Sequence, residues 1–386
     1  MIPRRAISVI LLALAATLPF AGSSGLAATK DAKAGLGDVM LRRMIGQMVL
    51  VGFVGDKVED EGFQTLLQQA EGGKIGGVIY LRRNLRSLRA IANLNETLQS
   101  VSQPPLFVAI DQEGGRIERL TDDIGFAEIP SAASVARSMK PAEANELYGM
   151  MAGSLSAIGI NLNLGPVVDL NVNPDNPIIG RLGRSFSEDE DTVSTYARSF
   201  IQAHRVHGVL TSLKHFPGHG SSVADTHNGT ADVSQTWSEI ELAPYQALID
   251  SGDVDMIMSS HVVNRNIPGA DDTPASLSTA TLTGLLRKKM KFNGVVISDD
   301  LQMGAIIKTR SLDDTIRQAV LAGTDVLVFA NDKHPDPTIP DRISGLLVKE
   351  ARANPAMLAR IQESYLRISR LKGTITVAGL VPARPN

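Results

Sequence analysis

No cysteine occurs among the 386 residues. Disulfide staples, thiol nucleophiles, cysteine-bearing zinc sites and lipid attachment through a cysteine are therefore excluded. Aromatic residues are scarce, 4% of the chain with a single Trp, which leaves little material for a long groove of stacked rings. Neither charge dominates: 38 basic and 41 acidic residues give a formal net charge of −3, and both signs are spread along the chain. A nucleic-acid partner is not expected from such a surface. No low-complexity tract, interdomain linker or internal repeat interrupts the sequence. Its chemistry must come from Asp, Glu, His, Lys or Ser, or from a cofactor.

The N-terminus reads as an export signal. Arg4 and Arg5 precede an apolar run from Ala6 to Leu18, Pro19 breaks it, and small residues follow to Ala28. Basic, apolar and small-residue regions in that order form a secretory signal peptide, here residues 1–28, with cleavage after Ala27 or Ala28. The apolar run is too short for the roughly 20 residues of a bilayer-crossing helix. The expectation is an exported chain, periplasmic or secreted, with no stable membrane span after cleavage. Without cysteines its stability rests on core packing, which a chain of this length can supply.

Eight short β-rich apolar runs follow: Met48–Val54, Ile75–Leu81, Leu106–Ile110, Ile160–Leu170, Val209–Leu213, Val254–Ser259, Gly294–Ser298 and Asp325–Ala330. Helix-like stretches separate them, among them Leu85–Gln99, Pro141–Ile158, Thr192–His207, Trp237–Ile249 and Leu312–Leu321. The length alone admits two or three small domains or one large barrel. Eight alternations of buried strand and helix predict an α/β chain folded as a single (β/α)8 TIM-like barrel over residues 38–372, with a C-terminal tail at 373–386. Polar residues cluster at the ends of the runs: Asp111 with Gln112 and Glu113, Asp169 with Asn171, Lys214 with His215, His261, Asp299 with Asp300, and Asn331 with Asp332. In a barrel those ends converge on one face, where functional groups sit.

Three segments concentrate the chemistry. Lys214-His215-Phe216-Pro217-Gly218-His219-Gly220 runs on to Asp225-Thr226-His227, a loop after the fifth run holding three of the seven histidines. Its histidines straddle a Pro-Gly turn and cannot share a helix face, unlike a zinc site built on His-x-x-x-His, so no metal is expected. Asp225 can instead fix the tautomer of His227 and raise its basicity, making the other ring nitrogen a general acid and base. Ser298-Asp299-Asp300 delivers adjacent carboxylates, of which one can point inward. Asp299 suits a nucleophile attacking an anomeric carbon, or a magnesium ligand, though no phosphate-cradling Gly-rich loop accompanies it. Asp300 is then its structural partner. Asp111-Gln112-Glu113-Gly114-Gly115-Arg116 runs from a strand into a tight turn, where Asp111 can accept hydrogen bonds from vicinal sugar hydroxyls.

These segments, with Gly183-Arg184-Ser185-Phe186 and Ser298-Asp299-Asp300-Leu301-Gln302-Met303, resemble in sequence and order the β-N-acetylglucosaminidase branch of family 3 glycoside hydrolases, over roughly Leu41 to Leu371. The resemblance implies Asp299 as nucleophile on the seventh barrel strand, and His227 with Asp225 as acid/base pair on a mobile loop after the fifth. It implies that Asp111, Arg184, Lys214, His215 and His261 hold the terminal N-acetylglucosamine, without a cofactor. One departure stands out: Ile178-Ile179-Gly180-Arg181-Leu182-Gly183-Arg184-Ser185-Phe186 is longer than the compact form Ile-Gly-x-Arg-Ser-Phe. Arg181 therefore competes with Arg184 for the sugar.

The activity expected is exo-acting, retaining hydrolysis of terminal β-linked N-acetylglucosamine from a peptidoglycan fragment (a muropeptide) or a chito-oligosaccharide. The few aromatics fit a pocket for one terminal sugar. Phosphorolysis is an alternative, since an imidazole does not repel phosphate as a carboxylate base does. A β-glucosidase with a carboxylate acid/base and a further domain has no sequence left to supply that domain. A non-catalytic cell-wall binding protein would be marked by loss of Asp299, Asp225 or His227, and all three are present. A monomer is favoured, with the oligomeric state left open.

Overall fold

The computed structural model describes residues 37–375. The expected signal segment 1–28 and residues 376–386 of the expected tail lie outside the described residues. Among the described residues, those from Leu41 onward form one compact unit. Its strands are β1 (Val49–Gly52), β2 (Gly77–Ile79), β3 (Phe107–Ile110), β4 (Leu162–Asn163), β5 (Leu210–Phe216), β6 (Ala231–Asp232), β7 (Met256–Ser259), β8 (Val262–Val263), β9 (Val295–Ser298) and β10 (Leu327–Phe329). Eight of them form one parallel sheet in the order β10-β1-β2-β3-β4-β5-β7-β9. A parallel bridge between Ile297 and Val326, and the Ser298 N–H donating to the Val326 carbonyl at 2.9 Å, join β9 back to β10. The sheet is thereby closed into a (β/α)8 barrel, each of the eight apolar runs supplying one strand.

The runs are short and almost wholly apolar because a barrel strand is covered on both faces. β1, β2, β3, β9 and β10 are buried at every position. β5 is the exception in composition. It is equally buried, yet carries Thr211, Ser212, Lys214 and His215, so it must find partners for its polar groups inside the barrel. Its register with β7 slips between Leu213 and Phe216. Successive side chains of a regular strand point to opposite faces. At this irregularity, neighbouring Lys214 and His215 both reach the polar cluster described below.

The helices depart from the sequence reading where local chemistry overrides periodicity. The helix expected from Thr192 starts at Glu190, because Asp189 caps it by accepting the Thr192 N–H at 2.8 Å. The stretch from Trp237 to Ile249 divides into a 3-10 turn, Glu239–Leu242, and a helix, Ala243–Asp250. Pro244 explains the break, since proline fits only the first turn of a helix. Likewise the helix expected from Leu85 begins at Leu88, where Ser87 accepts the Ala90 N–H. The small pair β6 and β8 lies outside the barrel sheet. Among the described residues no helix is long and apolar enough to cross a membrane.

Candidate active site

The loops at the C-terminal ends of β3, β4 and β5 build a buried network of charges. Lys214, on β5, donates to Asp111 Oδ1 at 2.9 Å and approaches Glu113 Oε1 at 2.6 Å. Glu113 in turn receives two parallel bonds from Arg184, Nε to Oε2 and Nη2 to Oε1, both at 2.8 Å. That planar, two-pronged pairing fixes the guanidinium in position and angle. Arg184 Nη1 donates to the Ile178 carbonyl, and Nη2 lies 3.3 Å from His215 Nε2. His215 Nδ1 meets Asp169 Oδ2 at 2.7 Å, so the pattern fits Nδ1 as donor and Nε2 as acceptor. Arg119 completes the ring by donating to Asp111 Oδ2 at 3.1 Å.

Burial by itself would raise these carboxyl groups, but the cations reverse it. Lys214 and Arg119 hold Asp111 far below the ordinary carboxylate range, and Arg184 and Lys214 hold Glu113 down at about 2. Asp169 is likewise held down against burial by His215 and by hydrogen bonds. For Lys214, burial would lower the ammonium, and the two carboxylates raise it instead. Asp111, Glu113, Asp169, Lys214 and Arg184 are thus all ionised at neutral pH. Each carboxylate oxygen has two lone pairs and each ammonium three N–H groups, so Asp111 and Lys214 keep capacity for sugar hydroxyls after meeting each other.

Asp299 follows β9 directly. Its N–H donates to the Ser259 carbonyl at 3.0 Å, and its Oδ1 accepts the Asp300 N–H at 2.8 Å. Burial opposes its ionisation, but the imidazoles of His261 and His215 and that N–H hold its pKa below the usual value. It is a half-buried, ionised carboxylate on the barrel's functional face. Asp300 faces the frame: its Oδ1 accepts from the Gln302 and Ala330 backbone N–H groups, tying the end of β9 to that of β10. Burial lifts its pKa to about 6.

The loop after β5 has two halves of different character. Residues 217–222 are clamped. Trp237 Nε1 donates to the Pro217 carbonyl, Asp169 Oδ1 accepts the His219 N–H, and Glu241 Oε2 accepts the Gly220 N–H. A Cβ on Gly220 would fall 1.8 Å from the Leu170 carbonyl, so only glycine fits there. Residues 225–228 are more open, with Asp225 half-buried and His227 and Asn228 exposed, although Thr226 between them is buried. His227 is 63% exposed, with its Nδ1 2.7 Å from Asp225 Oδ1 and no partner for Nε2 among the described residues. This tip leans on the short helix Gly304–Ile307, just beyond Asp299. The Ala305 N–H donates to the Thr226 carbonyl at 3.0 Å and Lys308 Nζ to the Asn228 carbonyl at 2.7 Å. Gly304 permits the approach, for a Cβ would meet the His227 carbonyl at 2.5 Å.

Residues 40–371 match the Glycosyl hydrolase family 3 N terminal domain. The chain belongs to glycosyl hydrolase family 3. It is 34% identical over 300 residues to a β-hexosaminidase of Vibrio cholerae serotype O1, covering 77% of this chain and 87% of the relative. A crystal structure of a β-N-acetylhexosaminidase from Beutenbergia cavernae superimposes with a TM-score of 0.78 at 31% identity, over 86% of this chain and 98% of the other. A family 3 β-N-acetylglucosaminidase from a Paenibacillus species gives the same TM-score at 29% identity, over 89% of this chain and 64% of its own. The protein is a glycoside hydrolase of the β-hexosaminidase group.

Within this family 3 barrel, Asp111, Lys214, Arg184 and His215 form one contiguous cluster, as described above. Of the two competing arginines, Arg184 is buried against Glu113. Arg181 points elsewhere, 63% exposed beside Asp175. His261 lies near Asp299, but both its ring nitrogens are taken, Nδ1 by Ser276 Oγ at 2.7 Å and Nε2 by the Asp300 carbonyl at 2.9 Å. No nitrogen of His261 is left for a sugar hydroxyl, and burial lowers the pKa of the ring. The sequence reading named Glu113 and Asp169 only as strand-end polar groups, and it passed over Arg119. All three partner the residues it selected. Their signal was faint but present: a carboxylate ending an apolar strand must be paired if it is buried.

Proposed function

We propose that the protein is an exo-acting, retaining β-N-acetylglucosaminidase that removes terminal β-linked N-acetylglucosamine from peptidoglycan fragments or chito-oligosaccharides. The observation that carries this reading is the presence of a half-buried, ionised Asp299 and of an exposed His227 hydrogen-bonded to Asp225 on a loop braced by the helix that follows Asp299. Asp299 attacks the anomeric carbon as the glycosidic C–O bond breaks, and His227 Nε2 gives its proton to the departing oxygen. Water, losing a proton to His227, then cleaves the glycosyl–Asp299 ester with net retention. Asp225 keeps Nδ1 hydrogen-bonded, which leaves Nε2 as the working nitrogen. Asp111, Lys214, Arg184 and His215 hold the sugar. The relatives' names support β-hexosaminide substrates, and the order of residues 1–28 supports export.

The deciding experiment is product analysis on a chromogenic β-N-acetylglucosaminide and on chitobiose, with and without phosphate, using enzyme recovered from its native cells. Free N-acetylglucosamine of retained configuration is expected, and Asp299→Ala is expected to abolish turnover. A phosphate-dependent sugar 1-phosphate would replace hydrolysis by phosphorolysis. Near wild-type turnover of Asp299→Ala would remove the nucleophile assignment. The intact mass of the recovered chain, expected to start near Thr29, tests the export; a full-length cytosolic chain would overturn it.

A further inference from the structure

The loop that carries His227 is tied to the segment that carries Asp299 by side chains with no part so far in sugar binding or proton transfer. The tie starts at Asp225, which divides its two oxygens between neighbours. Oδ1 accepts the His227 N–H at 2.8 Å and lies 2.7 Å from His227 Nδ1, while Oδ2 accepts Asn228 Nδ2 at 3.2 Å. A free carboxylate turns about its last bond and exchanges its oxygens, because that torsion is broad and two-fold. Asn228 opposes the exchange, so Oδ1 stays on the imidazole. The Asn228 N–H closes the same turn on the Asp225 carbonyl at 3.0 Å.

Asn228 is held in turn from the other side. Its carbonyl accepts Lys308 Nζ at 2.7 Å, a bond that the ammonium charge strengthens. Lys308 directly follows the helix Gly304–Ile307, and that helix is fixed to the barrel. Gly304, Ala305 and Ile306 are buried, and the Met303 N–H donates to the Asp300 carbonyl at 3.0 Å. A chain of hydrogen bonds therefore runs from the frame beside Asp299 through Lys308 and Asn228 to Asp225 and His227. The neighbouring bond from the Ala305 N–H to the Thr226 carbonyl is made by backbone alone, whereas this chain depends on which side chains stand at 228 and 308. Water competes for hydrogen bonds at an open tip, and His227, Asn228 and Lys308 are all exposed, so orientation there rests on several bonds acting together. His227 is near enough for its charge to help hold down the pKa of Asp299. The tethered imidazole thus stands near the nucleophile.

We propose that Asn228 and Lys308 are positioning residues for proton transfer: Asn228 fixes which oxygen of Asp225 faces the imidazole, and Lys308 latches that turn to the helix that follows Asp299. The proposal rests on the reading of His227 as acid and base. Neither residue needs to touch the sugar. Together they set the angle and distance at which His227 Nε2 meets the departing oxygen, and a displacement of about 1 Å in a catalytic group can cost on the order of 10²-fold in rate.

The test compares kcat/KM of wild type, Asn228→Ala, Lys308→Met and Lys308→Arg on chitobiose and on a dinitrophenyl β-N-acetylglucosaminide, whose leaving group departs without a proton. On chitobiose, Asn228→Ala and Lys308→Met are each expected to lose about tenfold, mainly through kcat. On the dinitrophenyl substrate both should stay within about twofold, because no general acid is needed there. Lys308→Arg can still donate to the Asn228 carbonyl and should recover most of the loss on chitobiose. Tm should stay within about 1 °C in all three, since both side chains are exposed. Equal loss on the two substrates would mark a merely structural role and overturn the proposal, as would no loss on either. Lys308→Arg no better than Lys308→Met would overturn the latch. If His227→Ala itself shows no dependence on the leaving group, the acid/base reading fails first. The tether is then judged on the free protein by amide hydrogen exchange: faster exchange over residues 225–228 in Lys308→Met, restored in Lys308→Arg, supports it, and exchange unchanged from wild type overturns it.

Discussion

The two halves of the functional face solve different problems. On one side, Glu113, Lys214, Arg184, His215 and Asp169 are buried, Asp111 is half-buried, and all are already paired with one another before any substrate arrives. On the other, Asp225 and His227 sit on a loop tip, with His227 largely in water and the loop held by the Ala305 N–H and the Lys308 side chain. A binding cluster gains from being fixed, because its polar groups are set at the geometry that sugar hydroxyls need and little is reorganised on binding. A proton-transfer group has the opposite need. It must exchange protons with solvent and close over substrate within each cycle. The boundary between the two halves falls inside one loop, near Ser222, whose carbonyl accepts from Asn173 Nδ2, whereas the later carbonyls of Thr226 and Asn228 are held by Ala305 and Lys308.

Three substitutions separate these roles. The largest effect is expected from His227→Ala. On natural substrates kcat should fall roughly 10²–10⁴-fold, the usual range for loss of a general acid, and less on substrates with activated leaving groups. Its Tm should stay within about 1 °C, because the side chain is exposed and a surface change away from packing costs little. A matching loss of Tm, seen by calorimetry, would erase the distinction between the halves.

Glu113→Gln should do the reverse. It leaves Arg184 and Lys214 without their shared counter-charge in the barrel interior, and breaking a buried pair in this way costs on the order of 3–5 kcal/mol. Thermal unfolding should shift down by roughly 5–15 °C, with KM rising more than kcat falls. A Tm unchanged from wild type would mean that the cluster is less preorganised than its geometry implies.

The smallest effect probes the clamp itself. Burial raises the pKa of Glu241 from 4.5 to about 7. Between those values the folded protein keeps a proton that the unfolded chain has released. The stability from this group is therefore full below about pH 4.5 and is lost as pH rises through about 7. Glu241→Gln cannot ionise and still offers an oxygen to the Gly220 N–H. Its Tm should match wild type at pH 5 and exceed it by a few degrees at pH 8. A wild-type advantage at pH 8 would show that the carboxylate is the better anchor.

The lengthened arginine segment shows where reading by motif stops. Arg181 and Arg184 occupy equivalent-looking positions in Gly180-Arg181-Leu182-Gly183-Arg184, and no local rule separates them. A 3-10 turn, Gly180–Leu182, and Gly183 do, by rotating one guanidinium onto Glu113, 71 residues away, and the other toward Asp175. His261 teaches the same lesson from the other side. It ends a barrel strand as a binding residue would, but Ser276 and Asp300 consume both nitrogens.

Local chemistry determined a great deal here without any fold. Eight apolar runs with polar ends, the spacing Asp225-Thr226-His227, and a strand closing on Asp299 reflect periodicity and short-range hydrogen bonding, which act over a few residues and are written in order along the chain. The tertiary structure alone decided which charges meet. The bonds from Lys214 to Asp111, from Arg184 to Glu113 and from His215 to Asp169 span 103, 71 and 46 residues. Only the side-by-side pairing of β3, β4 and β5 in the sheet brings those strand ends within 3 Å of one another. Burial of the charges then makes the pairing matter, since a charge left unpaired in that interior costs several kcal/mol.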